Sequence, residues 1–192
     1  MAFVKTTIED PAQEDHEFLH PAGGTGDFVI CKGPEKLKRL LECIDKNLHT
    51  HYVSDGDWSM HDLIMELLKK YKPAELFITT YALREFSVRQ LIMAMDRKEL
   101  LSVHMLLDYR AQVRTPAVFQ LAQMNFNKIY LTSIHAKVTV LRSAACSIAI
   151  VGSANWTQNP RVECGVISCD DHVADFHINW IQKIMEHAEI FK

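Results

Sequence analysis

Two short stretches hold residue types that could do chemistry together. His135 and Lys137 stand one residue apart at the start of a β-branched run, Val138 to Leu141. Gly152-Ser153-Ala154-Asn155 closes a second run, Ile148 to Val151, and Glu163 follows on a third extended stretch, 161 to 168. Two such runs separated by the short stretch Arg142 to Ser147 read as a β-hairpin. Period-two alternation would put His135 with Lys137 on one face and Ser153 with Asn155 on another, and an antiparallel hairpin would bring the two pairs together.

An imidazole, an ammonium, a hydroxyl and an amide around one spot suit a phosphate diester. A neutral imidazole can attack phosphorus and form a covalent phosphohistidine, which splits one difficult displacement into two easier ones. Lys137, Ser153 and Asn155 can donate hydrogen bonds to the non-bridging oxygens, whose charge must be held in the transition state. Glu163 can accept the proton of the other ring nitrogen and fix the tautomer. The expected arrangement is therefore a carboxylate oxygen within hydrogen-bond reach of His135.

These residues resemble the signature of the phospholipase D superfamily: a histidine and a lysine one residue apart, an aspartate five positions on, then Gly-Ser-x-Asn. His135, Lys137, Ser153 and Asn155 carry over directly, and Glu163 resembles the glutamate that members place after the asparagine. Two positions depart from the pattern. Arg142 stands where the family has its aspartate, and the spacing to Gly152 is three residues longer than the pattern. The resemblance covers residues 57 to 187 and implies a mixed sheet with helices on it.

The rest of the chain has to position these groups. Apolar periodicity and capping residues predict helices from Pro34, from Asp57 or Ser59 to Pro73, from Ser87, from Pro116 to Met124, and a last one through Val173, Phe176 and Met185. Strands are expected at 75–81, 100–107 and 129–132, with His49 and His51 in a loop. The order is that of an α/β fold, a mixed β-sheet sandwiched by helices. Residues 1–56 read as an N-terminal arm and helix packed on a phosphodiesterase domain, 57–192. The Gly23–Gly26 cluster lacks the Lys-Ser/Thr of a phosphate-binding loop and reads as a linker.

Composition narrows the classes. At 192 residues, 48% hydrophobic and 23% charged, the chain is long enough for one well-packed domain. A net charge of −3 provides no general attraction to nucleic acid or anionic lipid, so any such partner needs a local basic groove. Five scattered cysteines without a C-x-x-C pair argue against a disulfide framework or a zinc site, and no stretch approaches a signal peptide or membrane span. No metal or other cofactor is expected, and a cytoplasmic location is.

The motif occurs once. In the family two copies share one active site, one histidine attacking and the other protonating the leaving oxygen, so the resemblance implies a homodimer with the site at its two-fold axis. Metal-independent nuclease action on DNA or RNA is the favoured activity, with Arg84, Arg89, Arg110, Arg114 and Arg161 in or near loops as backbone contacts or solvated surface, and Trp156 as a base-stacking platform or a core residue. A lipid phosphodiesterase and a non-catalytic nucleic-acid-binding protein are the alternatives.

Overall fold

The structure is a computed structural model, and it describes residues 26–31, 34–44, 49–54, 56, 58–158 and 160–190. In chain order these form β1 (Gly26–Cys31), α1 (Pro34–Ile44), β2 (His49–Ser54), α2 (Met60–Tyr71), β3 (Ala74–Thr80), α3 (Glu85–Asp96) and β4 (Leu100–Asp108). There follow α4 (Tyr109–Arg114), α5 (Pro116–Asn125), β5 (Lys128–Thr132), β6 (Val138–Ser143), β7 (Ser147–Gly152), β8 (Glu163–Ser168), α6 (Asp171–His187) and β9 (Glu189–Ile190). The strands make one mixed sheet in the order β1-β2-β8-β7-β6-β3-β4-β5-β9.

Alternation along the central strands sorts the core into two layers. Leu76, Ile78, Leu141, Ile148 and Ile150 pack with Leu40, Leu63, Leu67, Leu91 and Phe119, which come from α1, α2, α3 and α5. Phe77, Val140 and Ala149 pack against Ala174, Ile178, Ile181 and Met185 of α6. One helix thus covers one face and the others cover the opposite face, the α/β architecture expected from the sequence. The parallel strands β3, β4 and β5 bring Thr80, Asp108 and Thr132 to one end of the sheet, and antiparallel β6 and β8 begin at that same end.

Some elements were hidden in the sequence for identifiable reasons. His49 and His51 lie in strand β2 and not in a loop; its buried positions are Thr50, Tyr52 and Ser54, so the inward face is polar and carries no apolar alternation. Gly26 opens β1, parallel to β2, while Gly23 to Thr25 lie outside the described residues. The helix expected from Ser87 begins two residues earlier, at Glu85, and Ser87 is fully buried inside it, its hydroxyl 3.1 Å from His61 Nδ1. Of the two proposed caps for α2, Ser59 is the one used: its N–H donates to Asp62 at 2.8 Å and its hydroxyl faces Asp62 N, a capping box of about 1 kcal/mol.

Candidate active site at the strand ends

His135 and Lys137 sit just outside the hairpin, since β6 begins at Val138 and β7 ends at Gly152. The period-two expectation therefore does not apply to them. Specific backbone ties place them instead. Thr79, buried on β3, accepts the Val138 N–H at 2.9 Å and donates to the Ala136 carbonyl at 3.2 Å. Gly152 N donates to the Lys137 carbonyl at 3.2 Å. On the other side, buried Asp108 at the end of β4 accepts from Ile134 N at 3.3 Å, next to His135. The resulting cleft, about 380 Å³, is lined by His135, Lys137, Val151, Gly152 and Ser153.

Lys137 Nζ stands 3.3 Å from each ring nitrogen of His135 and donates to the His135 carbonyl at 2.7 Å. Burial pushes the Lys137 ammonium below the ordinary lysine value, and the nearby negative charge of Glu163, then Tyr81, pull it back up. Ser153 donates to Glu163 Oε2 in a short hydrogen bond and accepts from Cys164 N at 3.1 Å. The expected carboxylate partner of His135 is therefore not made: Glu163 is taken by Ser153, and its link to the basic pair runs electrostatically through Lys137. For Ser153 to donate to a phosphate oxygen, its hydroxyl must rotate away from Glu163.

Gly152 is required by packing. A Cβ there would lie 2.6 Å from the Cys164 carbonyl oxygen, so only glycine lets β7 and β8 approach at the mouth of the cleft. Asn155 reaches the cleft through an aromatic intermediary. Its Oδ1 lies 3.2 Å from Tyr81 N and 3.2 Å from Thr80 Oγ1, and the Tyr81 N–H can only donate, which fixes the amide orientation. Nδ2 makes no hydrogen bond among the described residues and keeps two donors for a ligand.

Tyr81 is the residue sequence reasoning missed. Its ring packs edge-on against His135 with centroids 5.2 Å apart, and Lys137 Nζ lies 5.9 Å from the same centroid. On it also lie the guanidinium groups of Arg110 at 5.1 Å and Arg114 at 5.3 Å, and Arg110 donates to the Tyr81 hydroxyl at 2.8 Å. A lone tyrosine after a strand carries no motif, so no sequence signal distinguishes it.

The two binding candidates separate. Trp156 is not a stacking platform: it is 1% exposed, its indole N–H donates to Thr139 at 3.1 Å, and no ring face is left for a base. It zips the 80–84 segment to the strand end instead, its carbonyl accepting from Arg84 N at 3.0 Å. Arg161 is exposed and lines a second, larger cleft beside Tyr81. Arg142, at the aspartate position, points to the opposite face and pairs with Asp175 of α6 in a short contact.

No protein-family model matches the sequence, and no curated protein matches it. Solved structures do match in fold. The chain is similar to Nuc from Salmonella typhimurium, a phospholipase D family member, with TM-score 0.59 and 15% identity over 75% of this chain and 99% of that one. It is also similar to NucT from Helicobacter pylori, with TM-score 0.55 and 16% identity over 74% of this chain and 99% of that one. TrmBL2, an archaeal chromatin protein described as having a novel mode of DNA binding, matches with TM-score 0.53 and 14% identity over 76% of this chain and 54% of that one.

Proposed function

We propose that this chain, whose fold is that of the phospholipase D superfamily, is a phosphodiesterase that cleaves nucleic acid through a phosphohistidine. The observation that carries the reading is the placement of His135, Lys137 and Ser153 around one cleft at the strand ends, with Asn155 anchoring the aromatic wall against His135. Nucleic acid is favoured as the substrate class because the cleft adjoins a group of exposed arginines, and because the matched folds include a chromatin protein described as binding DNA.

In the first step a ring nitrogen of His135 bonds to phosphorus as the bond from phosphorus to the leaving oxygen breaks. Lys137 and the Asn155 amide hold the non-bridging oxygens, supplying from side chains the charge stabilisation that the step needs without a metal ion. Protonation of the leaving oxygen calls for a second acid on the opposite side of phosphorus. His135 of the partner subunit fills that role if two copies meet about a two-fold axis at this cleft. The same imidazole then takes a proton from the water that attacks phosphorus and breaks the nitrogen–phosphorus bond. Val151, an exposed apolar side chain lining the cleft, supports an isologous contact there.

The test is cleavage of plasmid, single-stranded DNA, RNA and a phosphatidyl lipid in EDTA, with a His135→Ala control. Nuclease action that survives chelation, loses at least ~10³-fold in the control and leaves an acid-labile phosphoryl label on the protein is expected. Cleavage of the lipid alone, or activity restored only by magnesium, would overturn the reading. For the dimer, wild type and His135→Ala chains mixed under exchange in varying ratio at constant total protein should show activity that falls as the square of the wild-type fraction. A straight-line decline would mean independent monomeric sites.

A further inference from the structure

Next to Tyr81, whose ring packs on His135, lies a separate cleft of about 490 Å³ lined by Tyr81, Arg84, Arg114, Thr115, Thr157 and Arg161. Its charge is not neutralised. Elsewhere on the molecule arginines are matched with acids: Arg89 with Glu85, Arg97 with Glu99, Arg110 with Asp108 and Arg142 with Asp175. Among the described residues Arg84, Arg114 and Arg161 meet no carboxylate, and no acidic side chain lines the cleft. On a chain of net charge −3, three unpaired guanidinium groups around one concavity are a local site for anions.

The three come from different elements. Arg84 precedes α3, Arg114 ends α4, and Arg161 lies on the approach to β8. Three segments must therefore converge to build the cleft. Tyr81 lines this cleft and its ring packs against His135 of the first, with Arg114 at 5.3 Å and Lys137 Nζ at 5.9 Å from the same ring centroid. An anion held by Arg114 thus sits next to one held by Lys137. Each nucleotide of a strand adds a phosphate, successive ones about 3.4 Å apart along the axis in a duplex and farther apart in an extended strand. A bis-ester with one phosphate could fill the first cleft and leave the second empty, whereas a strand continues into it.

We infer that the Arg84–Arg114–Arg161 cleft is a second phosphate subsite, which takes the backbone of one nucleic-acid strand beyond the scissile phosphate. Guanidinium forks grip phosphate oxygens in pairs, and Thr157 lines the same cleft as a neutral hydroxyl. The subsite rests on the nuclease reading for its ligand, and it makes the enzyme prefer chains over isolated diesters.

The test uses the full chain carrying His135→Ala, so that binding is read without cleavage, and a fluorescent oligothymidylate of about 12 nucleotides as the probe. Adding Arg84→Gln and Arg114→Gln should weaken binding about tenfold or more and lower the slope of log affinity against log salt by about 1.4, roughly 0.7 per lost contact. The same two positions changed to lysine should recover much of the affinity, which separates lost charge from a disturbed fold. Equal affinity and an equal salt slope in the glutamine variant would overturn the subsite.

Hydrolysis of bis(4-nitrophenyl) phosphate and of the oligonucleotide by chains with His135 intact reads the catalytic assignment separately. Loss of oligonucleotide kcat/KM relative to that of the small diester in the glutamine variant supports the subsite, and equal loss on both overturns it. Wild type inert on both substrates, with the arginine pair still controlling binding, would keep the subsite and reject the nuclease.

Discussion

Replacing Asn155 by aspartate divides its two roles. In the structure Oδ1 accepts the Tyr81 N–H at 3.2 Å, while the Nδ2 donors are left for a ligand, on the proposed reading the diester. Aspartate keeps the acceptor and deletes the donors, so the Tyr81 segment stays anchored while the site loses a hydrogen-bonding group and gains a negative charge. Loss of one preorganised donor costs about 10²- to 10³-fold in kcat. A carboxylate about 4 Å from a phosphate oxygen adds up to ~4 kcal/mol of repulsion at an effective dielectric of ~20, less here because Asn155 is only half-buried. Activity should therefore fall by at least ~10³-fold, with the melting temperature within a few degrees of wild type. Asn155→Ala, by contrast, also strips the Tyr81 N–H of its acceptor. It should lose about 10²- to 10³-fold in activity and ~1–2 kcal/mol of stability, a drop of roughly 3–6 °C. Steady-state cleavage and thermal unfolding of both variants decide the matter. An aspartate variant within tenfold of wild type, or one that melts below the alanine variant, would refute the assignment.

Glu163→Gln removes a charge that favours the Lys137 ammonium, so the lysine pKa should fall further and the alkaline limb of the activity profile should move to lower pH; a shift upward would rule out this coupling. Arg142→Ala should leave kcat within about twofold and cost no more than ~1 kcal/mol in denaturant unfolding, because its partner Asp175 is exposed on the face away from the cleft. Burial pushes the imidazoles of His61, His104 and His177 below the ordinary value of 6.5, so the unfolded chain binds protons near that value that the folded chain refuses. Stability should accordingly be full above pH about 7 and decline as the pH falls through the unfolded value, read as the urea midpoint between about pH 7.5 and about 5.5. A midpoint that rises on acidification would contradict the buried-histidine account.

The central part of this fold was legible because its residues satisfy local and global demands together. Ile148 and Ile150 alternate with Ala149, and the same alternation that marks a strand sends these side chains to the two cores. Where burial is polar, the signal vanishes, as in β2 with Thr50, Tyr52 and Ser54 facing inward. The site showed a comparable split. His135, Lys137 and Ser153 come together because a hairpin joins them, a local relation that spacing can express. Arg84 and Arg114 were expected as loop arginines, but their convergence with Tyr81 comes through the parallel arrangement of β3 and β4, at sequence separations for which a single chain offers no pattern. A tryptophan beside a motif suits a base or a core, and its burial with the indole N–H held by the Thr139 hydroxyl decides for the core.

The arginine at the position where the phospholipase D signature has an aspartate bears on how much of a motif is chemistry. Arg142 lies five residues along β6 from Lys137, about 16 Å at the rise of a strand, and it shares the parity of Val138 and Val140, whose side chains face α6. A side chain there cannot touch a phosphate held by Lys137. What the position meets is the surface of α6, where Asp175 supplies the opposite charge. The substitution is therefore matched within the scaffold, since an aspartate at position 142 would face Asp175 as a like charge. The groups assigned to the diester in the proposed reading are those tied at the other end of the hairpin by Thr79, Gly152 and Tyr81, and that end is built without reference to residue 142.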